Sequence, residues 1–398
     1  MATNSFLKQK NMLEIISAIK KNGAITKPEI AKATGLTQST IHNFTNDLLE
    51  RKIIVEDGIA ESNGGRKATI YRMNAEKFFV IALDIGDSYI SICLYNLELK
   101  EMYSKSIQYN IHERNVSEGF EDILSMIEDV LKQPGVRKDD ILGVGVSISG
   151  TVDFASGKIH QITNAPKWRN IPLAKMIEDS TGIKSIIDKD NNNAVLYYKT
   201  EDIYKKRNLV FLSTRKGIGT GVLIEGNVYR GNHCMAGELG HIRVDSVGEV
   251  CKCGRKGCLE PLASDLGIIR RVERKIRNGE KSVIVGNNIT LDMIIGAAQD
   301  GDVVARETLD DVSEYLCITI SNTIRIYDPD EIIVDCIWLQ CFSDIFNSIV
   351  DRVYEDNSLL DRESLMITLS TEDNILLLGA AALIIDYHLN SCNSSRFL

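Results

Sequence analysis

The chain has 398 residues, 44% hydrophobic and 25% charged, with a net charge of −9. That length suits two or three domains, while the apolar content and the presence of only 6 Pro and 29 Gly exclude disordered, collagen-like and mucin-like chains. The longest apolar run, Ile375 to Ile385, is too short to span a bilayer, and the start MATNSFLKQK has no apolar signal core, so a soluble cytoplasmic protein is expected.

The charge is divided unevenly. Residues 1–74 hold 11 Lys and Arg against 7 Asp and Glu, and the remainder holds 35 against 48. A basic head on an acidic body fits a chain whose one end meets an anionic partner such as DNA. From Phe6 to Lys20, Leu7, Met12, Leu13, Ile15, Ile16 and Ile19 make a helical stripe that ends near Gly23. Thr26-Lys27-Pro28-Glu29 then reads as a capped helix start, with Thr26 as N-cap and Glu29 as the capping-box acid. That short helix runs to Thr34, Gly35 supplies a turn, and Thr37 caps a third helix to about Arg51, burying Ile41, Phe44, Leu48 and Leu49. This is a helix-turn-helix layout, whose second helix enters the major groove. Thr37, Gln38, Ser39, Thr40, His42 and Asn43 are the expected base and phosphate contacts. Ile53-Ile54-Val55 and Ala68 to Arg72 read as hairpin strands around the tip Asn63-Gly64-Gly65-Arg66-Lys67. Arg66 and Lys67 would meet phosphate there, completing a winged helix-turn-helix domain over residues 1–75.

Beyond Phe79 the pattern changes to α/β. Val80 to Gly86 is a buried strand carrying Asp84, followed by strands at 89–97 and 104–111, a helix at about 119–132, and a glycine-spaced strand from Ile141 to Gly150. The same grammar restarts after residue 185, with strands at 208–212, 221–224 and 331–334. Two similar halves predict a bilobal body with a ligand-binding cleft.

Of nine cysteines, six are scattered (Cys93, Cys234, Cys317, Cys336, Cys341 and Cys392) and suit reduced thiols. Cys251, Cys253 and Cys258 fall within eight residues, shortly after Gly237-Glu238-Leu239-Gly240-His241. His241, Cys251, Cys253 and Cys258 make a closed tetrahedral set typical of one structural zinc per chain, with no position left for an activated water. His233 and Cys234 lie nearby as rival ligands.

These motifs, with Gly217-Ile218-Gly219-Thr220-Gly221, Arg230-Gly231 and Cys251-Lys252-Cys253-Gly254-Arg255-Lys256-Gly257-Cys258-Leu259-Glu260, resemble the ROK family of repressors, open reading frames and sugar kinases over roughly residues 79–390. The resemblance implies a bilobal actin-like ATPase fold, ribonuclease H-like and hexokinase-like, over residues 76–398. Lobe one would take about 79–187 plus the C-terminal helix, and lobe two about 188–372. A sugar would sit in the interlobe cleft on Asn164, Asp190, Glu238, His241 and Glu260. Carboxylates suit that role because they accept hydrogen bonds from hydroxyl groups. His241 would serve both zinc and sugar through its two ring nitrogens. The family has Asn before the catalytic-type Asp, whereas this chain has Lys189, which either favours an acidic ligand or pairs with Asp188.

Asp190 would be the base of a kinase, but the ATP side departs from the family's kinases. They resemble Asp-x-Gly-Gly-Thr where this chain reads Asp84-Ile85-Gly86-Asp87-Ser88, and they carry a Gly-Gly pair where it reads Asp335-Cys336-Ile337-Trp338. The side chains of that second stretch are expected to obstruct nucleotide, and Ser149 replaces a usual proline. The resemblance with these losses implies a sugar-responsive transcriptional regulator of carbohydrate use, a repressor acting on a double-stranded operator as a homodimer, with tetramers left open. The alternative is an active ATP-dependent sugar kinase fused to a DNA-binding head. A reading of the cysteine cluster as a DNA-binding finger is disfavoured by its spacing and acidic surroundings.

Overall fold

The computed structural model describes residues 4–60, 68–162, 165–201, 207–286, 288–360 and 362–390. They form two compact units, residues 1–205 with 374–398, and residues 206–373.

The first unit begins with the head: α1 (Asn4–Asn22), β1 (Ile25–Thr26), α2 (Lys27–Thr34), α3 (Gln38–Glu50), β2 (Ile54–Ile59) and β3 (Thr69–Met73). The expected helices are present, and their ends follow from the sequence. The Thr26 backbone N–H and hydroxyl both donate to the Glu29 carboxylate, at 2.9 and 2.7 Å, opening α2. Gly35 closes it in the left-handed region at φ 70°. The Thr37 hydroxyl accepts from the Thr40 N–H at the start of α3. On α3 the buried residues are Ile41, Phe44, Thr45 and Leu48; Leu49, expected inside, is half-buried. Thr45 can be buried because its hydroxyl donates to the Ile41 carbonyl at 2.7 Å. Two residues absent from the sequence reading, Ile25 and Thr26, pair with Tyr71 and Ile70, making the sheet three-stranded in the order β1-β3-β2.

The body of this unit continues as β4 (Phe79–Ile85), β5 (Tyr89–Asn96), β6 (Glu101–Gln108), α4 (Val116–Leu131), β7 (Ile141–Ile148), β8 (Gly150–Asp153), β9 (Lys158–Ile162), β10 (Ala165–Ile171), α5 (Leu173–Thr181), β11 (Ser185–Lys189) and α6 (Asp190–Glu201). Its main sheet has the order β11-β7-β4-β5-β6, and β8, β9 and β10 form a smaller one. β4 is antiparallel to β5 and parallel to β7, which is parallel to β11.

The second unit contains β12 (Leu209–Ser213), β13 (Gly219–Ile224), β14 (Asn227–Val228), α7 (Leu259–Ala263), α8 (Asp265–Arg277), α9 (Leu291–Gln299), α10 (Val303–Tyr327), β15 (Glu331–Asp335), α11 (Ile337–Cys341), α12 (Ser343–Asp356) and β16 (Met366–Leu369). Its sheet runs β14-β13-β12-β15-β16, with the antiparallel pairs first and the parallel pairs after, as in the first unit. The two halves are therefore repeats of one topology, as the restarting strand grammar predicted. The chain then returns to the first unit as α13 (Ile375–Asn390).

α13 lies directly on β7, where glycines make room. A Cβ at Gly145 would stand 1.9 Å from the Ala380 carbonyl oxygen, so only glycine fits. α6 packs on α13, and the Asn193 amide donates to the Val146 carbonyl at 3.1 Å. Those contacts place α6 with the first unit, whereas a second lobe was expected to begin near residue 188. In the second unit, the fully buried Leu259, Ile268, Val272, Leu316, Ile332 and Trp338 belong to one apolar core under the sheet. Among the described residues, no helix is long and apolar enough to cross a membrane.

Candidate functional site

In the first unit the parallel strands end together. Ile85 and Lys189 both register with Ile148, so Asp84, Asp190 and the turn at Gly86 share one edge of the sheet. Such carboxyl ends are where open α/β sheets bind ligands. Asp84 is 4% exposed and accepts a 2.7 Å bond from the Tyr89 hydroxyl. Burial pushes its pKa up to about 7; the tyrosine bond opposes that rise and the Asp190 charge adds to it. The Tyr89 ring lies over Gly86, where an added Cβ would come within 2.7 Å of it. Tyr89 gave no signal in the sequence beyond a place in an alternating strand.

Asp190 opens α6, and its carboxylate accepts from both the backbone and the side-chain N–H groups of Asn191, each at 2.7 Å. Asp188 accepts from the Lys189 backbone N–H at 2.8 Å and the Asn192 amide at 2.9 Å, so its carboxylate serves the start of the helix. Lys189 is itself buried at the end of β11. Asn164, expected on the sugar, lies outside the described residues, as do Arg66, Lys67 and Cys392.

In the second unit, two glycines seat the Gly237–His241 segment on β13 and the turn before it. Added Cβ atoms at Gly237 and Gly240 would meet the carbonyl oxygens of Thr220 and Ile218 at 2.6 and 2.4 Å. Glu238 is exposed and His241 half-buried. Glu260, on α7, reaches under the glycine-rich turn, where its carboxylate accepts a long 3.4 Å bond from the Ile218 N–H.

The four expected metal ligands converge. The ligand atoms of His241, Cys251, Cys253 and Cys258 all lie within 4.8 Å of one another. The Cys251 sulfur is 3.5 Å from His241 Nδ1, and the sulfurs of Cys253 and Cys258 are 3.6 Å apart. A tetrahedron with zinc–sulfur bonds of ~2.3 Å has edges of about 3.8 Å, so the set fits that ion. Burial pushes the Cys258 thiol up to about 12 and raises Cys251, so these two ionise readily only against a cation. Gly257 makes the loop possible, since a Cβ there would overlap the Asp245 carbonyl. His233 is bonded to Asn232, and neither it nor Cys234 belongs to the cluster.

The stretch after β15 differs from expectation. Cys336 and Trp338 are buried inside the unit's core, so they do not project outward. What stands at the strand end is Asp335, 3% exposed, gripped by Arg215 through two bonds of 2.8 and 2.7 Å and by the Ser213 hydroxyl at 2.9 Å. Asp265, beside them, is pushed up to about 7 by burial, against the pull of Arg215. Arg215 lies in the segment Ser213-Thr214-Arg215-Lys216, which carries no motif that marks it in the sequence.

On the head, Gln38, Ser39 and Asn43 are exposed on one side of α3. Thr37 and Thr40 are engaged with each other at 2.9 Å in the cap. His42 contacts Lys27 and Asn46 at 3.4 and 3.1 Å, so Lys27 and Asn46 join the same exposed surface.

Comparison with known proteins agrees with this layout. The pattern of the ROK family matches residues 80–386, and that of winged helix-turn-helix DNA-binding domains matches residues 8–55. The chain is 28% identical to the xylose repressor of Caldicellulosiruptor bescii over 97% of this chain and 98% of that one. It is 26% identical to the transcriptional dual regulator NagC of Escherichia coli, covering 82% and 80%. Among solved structures, a ROK family transcriptional regulator, a homologue of the E. coli MLC protein, superposes with a TM-score of 0.79 at 26% identity over 96% of each chain. A ROK hexokinase from Thermus thermophilus shares the fold, with a TM-score of 0.64 at 21% identity over 77% of this chain and 97% of that one.

Proposed function

The chain belongs to the ROK family, and from that premise we propose that it is a sugar-responsive DNA-binding transcriptional regulator, a repressor of carbohydrate-use genes that works as a cytoplasmic homodimer. The observation that carries this is the union in one chain of a DNA-reading head and a ROK body, matched end to end by a protein named xylose repressor. Gln38, Ser39 and Asn43 would read base edges, with Thr37, Thr40 and His42 beside them and Arg66 and Lys67 on phosphate.

The effector would be a monosaccharide or a derivative, held by Asn164, Asp190, Glu238, His241 and Glu260. Zinc, bound by His241, Cys251, Cys253 and Cys258, would fix the loop that carries two of these groups. Because His241 turns Nδ1 to the Cys251 sulfur, Nε2 would be the ring nitrogen that faces a sugar hydroxyl. Sugar binding must favour one arrangement of the heads over another, since equal affinity for both shifts nothing.

We infer further that the body does not transfer phosphate. Two observations support this. Tyr89 covers Gly86 and engages Asp84, and Asp335, which stands where the kinases carry a glycine pair, is already bonded twice by Arg215. A thermal-shift panel of D-xylose, D-glucose, N-acetyl-D-glucosamine and their phosphates, run beside an ADP-release assay, tests both parts. A sugar should raise the melting temperature without releasing ADP. Sugar-dependent ADP release would instead establish the kinase alternative.

A further inference from the structure

Asp190 lies at the first residue of α6, and the contacts of α6 show where that helix leads. Its first turn is held without slack. Asn193 is fully buried and bonded to β7, and an added Cβ at Gly379 on α13 would stand 2.4 Å from the Asn193 carbonyl carbon. Nine residues after Asp190, Lys199 makes a 2.6 Å ion pair with Asp386 of α13, with the two side chains 15% and 22% exposed. Asn193 meets Gly379 and Lys199 meets Asp386, so the two helices run in the same direction, side by side. From Asp190 to Lys199 that course covers roughly 14 Å.

The sheet gives the direction. His388, buried near the end of α13, lies 2.9 Å from the Leu142 carbonyl, while Ala380 sits against Gly145. α13 therefore runs antiparallel to β7, away from the edge that holds Asp84 and Asp190, towards the end where Phe79 pairs with Ile141. The chain enters the body from the head at that same end, where Lys77 is ion-paired to Asp140. The first helix of the head, α1, packs against both α6 and α13. One close-packed helix pair thus touches the proposed effector residue at its start and the DNA-binding head along its flank.

We propose that the parallel pair α6–α13 carries effector occupancy to the head. A sugar drawn onto Asp190 tilts or translates α6, the glycine contact forces α13 to follow, and α1 moves with the surface beneath it. Close-packed interfaces behave this way because they shift between discrete arrangements and do not absorb small displacements. The Lys199–Asp386 pair locks the far ends so that the two helices move as one. This inference rests on the regulatory reading above.

The test uses the full chain and three variants, Lys199→Met, Asp386→Asn and Lys199→Arg, with D-xylose and N-acetyl-D-glucosamine as probes. Two quantities are measured: sugar affinity by calorimetry, and the factor by which saturating sugar changes affinity for an operator selected from random duplexes. Lys199→Met and Asp386→Asn should leave sugar affinity within about twofold and reduce the coupling factor roughly 2- to 30-fold, while Lys199→Arg restores it. Coupling unchanged in both disrupted variants overturns the proposal. So does a loss of sugar affinity equal to the loss of coupling, because the pair would then belong to the binding site. A wild-type chain whose operator affinity neither sugar alters sinks the regulatory reading itself, and the helix-pair proposal with it.

Discussion

Replacing Arg215 with alanine gives a direct measure of the ion pair at the end of β15 in the second unit. In the intact protein, Asp335 is 3% exposed and receives two bonds from Arg215 and one from the Ser213 hydroxyl. Arg215→Ala removes the two charged donors and leaves a buried carboxylate on one neutral hydroxyl. Breaking a buried pair from one side costs about 3–5 kcal/mol. The Arg215 side chain is 36% exposed and partly screened by water, which reduces the expectation to roughly 2–3 kcal/mol. For a unit of this size that is a fall of about 4–12 °C in melting temperature. Asp335→Asn should cost less, since the half-buried arginine can turn to solvent. The double variant should be more stable than the sum of the singles predicts, by at least ~1 kcal/mol. Urea titration of the four proteins at neutral pH measures the cycle. The reasoning fails if Arg215→Ala melts within about 1 °C of the parent, or if the two single effects simply add.

Other outcomes follow from the same structure. Gln38→Ala and Asn43→Ala, on the exposed face of α3, should leave the melting temperature unchanged while costing about 1–3 kcal/mol in discrimination between the operator and a mismatched duplex. If the His241, Cys251, Cys253 and Cys258 cluster holds zinc as proposed, a zinc chelator or Cys258→Ser should weaken sugar binding and leave non-specific DNA binding by the head intact; calorimetry with D-xylose and binding to random duplex measure the two separately. Asp84 and Asp265 each hold a proton up to about pH 7 in the folded chain against a usual value of 3.8. The folded state therefore binds more protons across that window, and stability should fall as pH rises from about 4 to 7. Asp84→Asn and Asp265→Asn should each flatten the slope of unfolding free energy against pH, measured by urea titration.

Local rules made the head readable. The cap at Thr26, the left-handed Gly35 and the cap at Thr37 each depend on residues within four positions, and each stands where the sequence puts it. The pairing of Ile25 with Tyr71 escaped because two residues carry no periodicity and the partner lies 46 positions away. The convergence of His241, Cys251, Cys253 and Cys258 was legible for a different reason: thiols and an imidazole at close spacing between turn-forming glycines have few uses other than holding a metal. Tyr89 on Asp84 and Arg215 on Asp335 were not legible, because each contact depends on strands brought together by the sheet. The burial of Trp338 reversed an expectation for a related reason. A residue after a strand end can point outward or into the core, and only the position of α11 and α12 decides it. The repeated sheet order could be foreseen as two halves, while its strand partners could not.

The central claim, that the ROK body regulates the head through a bound sugar without phosphoryl transfer, is tested most directly by one titration. Fluorescence anisotropy of a selected operator is followed as the full chain is added, with and without each sugar of the panel and with ATP and magnesium present, while ADP is monitored in the same samples. One sugar should change operator affinity at least about tenfold, equivalent to ~1.4 kcal/mol of coupling, with no ADP formed. Sugar-dependent ADP release, or an operator affinity that no sugar alters, would contradict that claim.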